Sequence, residues 1–163
     1  MTFKKQNEDK TMTKALFTGS FDPFTIGHKS IVDRTLTFAD EVVIAIGVNA
    51  GKQTMFTAEQ RAEHVRRVYA DNPRVSVMHY EGLTVDLARK VGATMIVKGV
   101  RSIKDFEYEK QMGDINRMMT GIETVMLVAD DRYASVSSSI VRELMKYGHD
   151  ISQFVPESDF FKD

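Results

Sequence analysis

The 163-residue chain has no cysteine. That excludes disulfides, thiol nucleophiles and cysteine-based zinc sites, and it accords with a reducing, cytoplasmic setting. The chain also lacks a surplus of either charge: 22 Lys and Arg stand against 23 Asp and Glu, a net charge of −1. There is then no bulk basic field to draw it to nucleic acid or to an acidic membrane, so anions must be bound by locally placed groups. No apolar run is long enough to span a bilayer. Residues 1–13 are polar and lack the apolar stretch of a signal peptide. They are expected to form a disordered tail or extension, with Met12 as an alternative start. No repeat or linker interrupts residues 14–157, and no His, Asp or Glu cluster has metal-ligand spacing.

What is present is a regular alternation of strand-like and helix-like segments. A strand over 14–18 is followed by a loop and a helix over 27–39. The nearly continuous apolar run over 41–48 suits a strand covered on both faces, as in a parallel sheet. After a loop over 50–56, Thr57 and Gln60 form a capping-box signature. The helix they open carries Ala58, Ala62, Val65 and Tyr69 at helical spacing and ends at Asn72-Pro73. A β-like alternation over 74–80, a helix over 83–91 closed by Gly92, and a strand over 94–97 come next. A helix over 104–119 puts Tyr108, Met112, Ile115 and Met119 on one face, and the methionines, Met112, Met118 and Met119 among them, read as core or interface filler. The strand Glu123–Val128 and a helix over 137–147 complete the pattern. Strands separated by helices imply an α/β fold: a single doubly wound domain over 14–157, with a C-terminal tail over 158–163 in which Phe160 and Phe161 are free to dock. Ligands of such sheets bind at the carboxyl ends of the strands.

The most informative stretch is GSFDPFTIGH, Gly19 to His28. It reads strand, glycine-containing loop, helix, a junction that offers backbone N–H groups and a helix N-terminus to an anion. Gly19 lets backbone approach a phosphate, Ser20 supplies a hydroxyl, and His28 lies in the first helical turn. Asp22 is expected to fix its own loop through an Asx-type hydrogen bond. Lys98 and Arg101 are expected just past the fourth strand, at the ligand edge of the sheet. Ser137, Ser138 and Ser139 open the last helix, where hydroxyls and free N–H groups suit phosphates. Arg142 is expected to face solvent, His64 to lie at the surface, His79 alone in a strand, and His149 after a helix end.

Three motifs together carry a resemblance. GSFDPFTIGH is similar to the nucleotidyltransferase signature (His/Thr)-x-Gly-His, with Thr25 in the first place. KGVRSIKDFEYE, Lys98 to Glu109, and SVSSSIVREL, Ser135 to Leu144, resemble the second and third motifs of bacterial phosphopantetheine adenylyltransferases. Thr54-Met55-Phe56-Thr57 after Lys52 adds a fourth likeness. The resemblance implies adenylyl transfer from ATP to 4′-phosphopantetheine, giving dephospho-coenzyme A and pyrophosphate. It further implies a Rossmann-like five-stranded sheet, Mg²⁺ held mainly by ATP phosphates, a homohexamer, and coenzyme A as feedback inhibitor.

By the same resemblance, His28, Lys52, Ser20 and Arg101 are catalytic. ATP is expected at Ser20, Phe21, His28, Gly99, Val100, Arg101, Glu109, Tyr133, Ala134, Ser135, Val136, Ser137, Ser138 and Ser139. The acceptor is expected at Ser20, Lys52, Thr84 and Lys98, the last standing where many relatives carry Arg. Such a transfer is an in-line displacement at the α-phosphorus by a phosphate that is already anionic, so alignment and charge neutralisation matter more than a general base. The alternatives are another nucleotidyltransferase, acting on cytidine or nicotinamide nucleotides, and a non-catalytic nucleotide-binding module.

Overall fold

Five strands and five helices alternate without exception in the computed structural model, which describes residues 11–162. They are β1 (Lys14–Gly19), α1 (Ile26–Thr35), β2 (Glu41–Gly47), α2 (Ala58–Val68), β3 (Val75–Tyr80), α3 (Thr84–Val91), β4 (Met95–Val100), α4 (Ile103–Thr120), β5 (Glu123–Val128) and α5 (Ser138–Lys146). All neighbouring strands are parallel, in the order β3-β2-β1-β4-β5. The chain therefore winds outward from β1 in one direction and returns to lay β4 on its other side. The doubly wound parallel sheet expected from the sequence is present, and its switch in winding lies between β1 and β4, where a ligand crevice opens.

Strand alternation divides the core into two layers. Phe17, Ile44, Ile46 and Val97 pack with Ile31 and Val32 of α1 and Val65 of α2. Leu16, Val43, Ala45 and Ile96 pack with Leu87 and Ala88 of α3 on the other face. Full burial of each large aliphatic side chain contributes about 1.5–3 kcal/mol.

The helix ends follow their local chemistry. Thr57 and Gln60 form the expected capping box on α2. Thr25 is the N-cap of α1, which runs over Ile26–Thr35 and not over 27–39, and His28 is its N3 partner. Gly92 and Gly121 close α3 and α4 in the left-handed conformation.

Two expectations change and a third narrows. β4 runs on to Val100 because Lys98, Gly99 and Val100 continue the ladder with Met126, Leu127 and Val128. Lys98 thus lies inside the strand and not beyond it. On α4, Tyr108, Met112, Ile115 and Met119 are 42–63% exposed, so they are not core of this subunit. His64 is buried, with 1% exposure, and not at the surface.

The reason for the last is the C-terminal segment. Ile151 and Val155 pack with Val141 of α5 in a third apolar cluster. The carbonyl of Phe154 accepts from Ile26 N–H, the first residue of α1, at 3.0 Å. The carbonyl of Pro156 accepts from Nε2–H of His64 at 2.7 Å. Phe160 and Phe161, in a 3₁₀ turn over Ser158–Phe161, pack against the His64 ring, Phe161 edge-on, and Phe161 also meets Phe56. The segment is a strap that ties the first residue of α1 to the middle of α2. At the other end, residues 1–10 of the expected tail lie outside the described residues. Thr13 belongs to the fold: its N–H and hydroxyl both donate to Asp40.

Candidate active site

A cavity of about 640 Å³ lies at the carboxyl ends of β1 and β4, and the first turns of α1, α4 and α5 open onto it. Ser20, Phe21, His28, Lys52, Lys98, Gly99, Arg101, Glu109, Tyr133, Val136, Ser137, Ser138 and Ser139 all line it. Of the expected site residues, Val100, Ala134, Ser135 and Thr84 do not. Val100 points into the core, and Thr84 sits at the start of α3 with its hydroxyl bonded to Tyr80 Oη at 2.9 Å.

His28 has a defined protonation state. Its Nδ1 accepts from the backbone N–H of Thr25 at 3.0 Å, while Thr25 Oγ1 accepts from His28 N–H at 3.4 Å. An Nδ1 that accepts must leave the ring proton on Nε2 in the neutral form. Burial among Phe21 and Phe24, helped by the nearby Arg101 cation, brings the imidazole down to a pKa of about 4. His28 is thus a neutral Nε2–H donor at pH 7. Thr25 in the first place of the signature is the capping partner that fixes this tautomer.

Phe21 has a φ of +48°, and its ring is buried between Phe17 and Phe24. That conformation costs about 1–3 kcal/mol outside glycine. The same ring gives Gly19 a second requirement: a Cβ there would meet the Phe21 ring at 2.8 Å. Gly19 makes room for an aromatic ring, which in turn seats the loop.

Lys52, exposed on the loop after β2, donates from Nζ to Ser20 Oγ at 3.0 Å. The serine accepts there, so its own proton is free for an anion. Lys98 Nζ donates to Thr18 O at 3.4 Å and lies 3.9 Å from Glu109. Burial lowers the Lys98 pKa, and Glu109 partly offsets that. Arg101 lies just past β4, with its Nε 3.5 Å from Asp105.

At α5 the three serines differ. Ser137 is the N-cap and accepts from Ile140 N–H. Ser138 donates its hydroxyl to Pro23 O at 2.8 Å, so that proton is not available to a phosphate. Ser139 accepts from Arg142, which leaves its own proton free. The N–H groups of Ser138 and Ser139 lie in the first turn, where no intrahelical acceptor exists.

Asp22 and Arg142 also depart from expectation. The Asp22 carboxylate, 5% exposed, does not close its own loop: it accepts from Met55 N–H at 2.9 Å and Phe56 N–H at 3.0 Å. Arg142 lines the cavity, donates to Asp22 O at 2.7 Å, and lies 3.8 Å from the Asp22 carboxylate. Arg61, which no motif singles out, is buried and donates to three main-chain carbonyls around the site. Its one sequence signal is an arginine among Ala62, Val65 and Val68 on the apolar stripe of α2. His79 lies exposed, 3.7 Å from Glu59. His149 is exposed, and its N–H bonds Leu144 O.

The two depressed histidines make stability depend on pH. For His28 and His64 the folded pKa lies below the usual 6.5, so the unfolded chain binds protons first. Their contribution is complete above pH 6.5 and is lost as pH falls, toward about 4 for His28. The thermal midpoint is expected to drop steadily between pH 6.5 and 4.5, and His64→Phe should flatten part of that slope. A midpoint constant across this range would contradict both assignments.

A profile of the cytidylyltransferase-like family matches residues 16–144. The phosphopantetheine adenylyltransferase of Bacteroides thetaiotaomicron is 56% identical over 146 residues, which cover 90% of this chain and 97% of that one. The enzyme of the same name from Porphyromonas gingivalis is 54% identical over 143 residues, 88% of this chain and 94% of that one. The crystal structure of a Vibrio parahaemolyticus protein assigned as a nicotinate-nucleotide adenylyltransferase superposes with a TM-score of 0.68 at 18% identity, covering 94% of this chain and all of that one, which shows the shared fold. Through its signature loop, its sheet order and these relatives, the chain belongs to the cytidylyltransferase-like family, in its phosphopantetheine adenylyltransferase branch.

Proposed function

We propose that the cavity at the β1–β4 switch transfers an adenylyl group from ATP to 4′-phosphopantetheine, releasing pyrophosphate and forming dephospho-coenzyme A in coenzyme A biosynthesis. The observation that carries the reading is the neutral, Nε2-protonated His28 facing the same cavity as the Lys52–Ser20 pair. The acceptor phosphate is held by the Ser20 hydroxyl and the Lys52 ammonium. An acceptor oxygen attacks the α-phosphorus as the bond to the pyrophosphate oxygen breaks. The equatorial oxygens gain charge, and His28 Nε2–H together with Arg101 stabilises it. First-turn N–H groups of Ser138 and Ser139, with Arg142 beside them, receive the leaving pyrophosphate. Arg101, Gly99, Glu109, Tyr133 and Val136 line the part of the cavity assigned to ATP.

Among the described residues no three His, Asp or Glu side chains are grouped to hold a metal ion. The cavity carboxylates are engaged instead: Asp22 on backbone N–H groups, Asp105 with Arg101, Glu109 with Lys98. This fits a Mg²⁺ that arrives on the triphosphate and keeps phosphate and water ligands. Bound so, it would neutralise charge on the β- and γ-phosphates.

A homohexamer, feedback by coenzyme A and a cytoplasmic site of action belong to the same reading. Ile103, Tyr108, Ile115 and Met118 leave α4 with an exposed apolar face that subunit association would cover. No helix among the described residues is long and apolar enough to cross a membrane.

The deciding experiment measures pyrophosphate release with Mg²⁺-ATP and 4′-phosphopantetheine, beside CTP with glycerol phosphate and ATP with nicotinamide mononucleotide. Turnover is expected in the first mixture alone. Turnover only in another would keep the phosphate-site roles and overturn the acceptor. Silence in all three would favour a non-catalytic module.

A further inference from the structure

Arg61 does not line the cavity, yet it holds the backbone on which the acceptor site is built. It projects from α2 and is 4% exposed. Its Nη1 donates to Ser20 O at 2.6 Å and to Gly47 O at 3.2 Å, and its Nε donates to Phe56 O at 3.2 Å. Gly47 is the last residue of β2, and Phe56 precedes the N-cap of α2. Arg61 therefore binds both ends of the loop that carries Lys52, and the carbonyl of the residue that Lys52 touches.

Asp22 holds the same loop from the other side, through Met55 and Phe56 N–H. Arg61 makes no direct ion pair among the described residues; Asp22 acts on it only through space. A cation buried on three neutral carbonyls is not the cheapest way to fill an apolar helix face. A planar guanidinium can, however, fix three acceptors in directions that an ammonium on a flexible stem cannot.

We propose that Arg61 is a positioning residue for adenylyl transfer, setting the distance between the Lys52 ammonium and the Ser20 hydroxyl and so the seat of the acceptor phosphate. This rests on the acceptor-site reading above. Arg61 acts only through the loop and never on substrate. When it is removed, the loop ends drift, and a misplacement of about 1 Å costs about 10²-fold in rate.

The test is a double-mutant cycle on kcat/KM with wild type, Arg61→Lys, Lys52→Met and the double variant, with Arg61→Met as a second series. It is run with whichever substrate pair the wild type turns over, so substrate identity and positioning fail separately. The expected result is a loss of about tenfold to 10²-fold from Arg61→Lys alone, with KM for ATP changed less than about threefold. In the Lys52→Met background the same change should cost less than about threefold, because the group it positions has gone. Equal losses in both backgrounds would overturn the proposal, as would failure of both Arg61 variants to fold, since either result makes the residue purely structural.

Discussion

Lys52→Ala lowers kcat for pyrophosphate release by about 10²–10³, the usual loss of one well-placed donor to a developing charge. The thermal midpoint moves by no more than about 2 °C, as for an ordinary surface change. Both halves follow from geometry. Lys52 is exposed, its side chain forms no ion pair among the described residues, and its ammonium bonds the Ser20 hydroxyl. Little of the fold depends on it, whereas the acceptor phosphate would find its ammonium already aimed. His28→Ala shows a similar loss of kcat but differs in stability. Its ring caps Thr25 N–H and packs on Phe21 and Phe24, so about 1 kcal/mol of capping disappears as well. Steady-state turnover with thermal unfolding separates the two. Near-full turnover of the Lys52 variant would remove it from the mechanism.

Asp22→Ala has the largest expected effect on stability, about 3–5 kcal/mol, the range for breaking one side of a buried charge network. Two N–H groups, of Met55 and Phe56, lose their acceptor, and Arg142 and Arg61 lose the nearest negative charge. Asp22→Asn relieves only part of this, because one amide nitrogen then faces an N–H donor. For a domain of this size the midpoint should fall by about 6–20 °C. Thermal and urea unfolding check it, and a fall below about 2 °C would mean that water replaces the carboxylate. Because the same N–H groups end the Lys52 loop, the variant should also lose turnover before it unfolds.

Sequence patterns carry local information well and distant polar contacts poorly. Glu123–Val128 ends in four successive apolar residues and has one partner strand, and its expected bounds match the structure. The fourth strand reads too short in the sequence because Lys98 and Gly99 break the apolar run while leaving the backbone ladder intact. The signature loop and its cationic partners are legible, since Ser20, His28, Lys52 and Arg101 share one cavity. Asp22, Arg61 and His64 escape a sequence reading for a single reason. Each is a polar side chain whose burial is decided by backbone atoms far along the chain: Asp22 by residues 55 and 56, Arg61 by Ser20, His64 by Pro156. Hydrophobic periodicity cannot report a hydrogen bond to a backbone N–H or carbonyl contributed by another part of the chain.

The strap that Phe154 and Pro156 form also orders events during synthesis. The ribosome releases the signature loop, α1 and α2 early, while the carbonyl that receives His64 lies 92 residues further on. Until that part of the nascent chain emerges, Ile26 N–H has no Phe154 carbonyl and His64 has no acceptor. Elongating chains would carry every residue of the catalytic loop and still lack its finished geometry, so competence for turnover waits on residues 154–156.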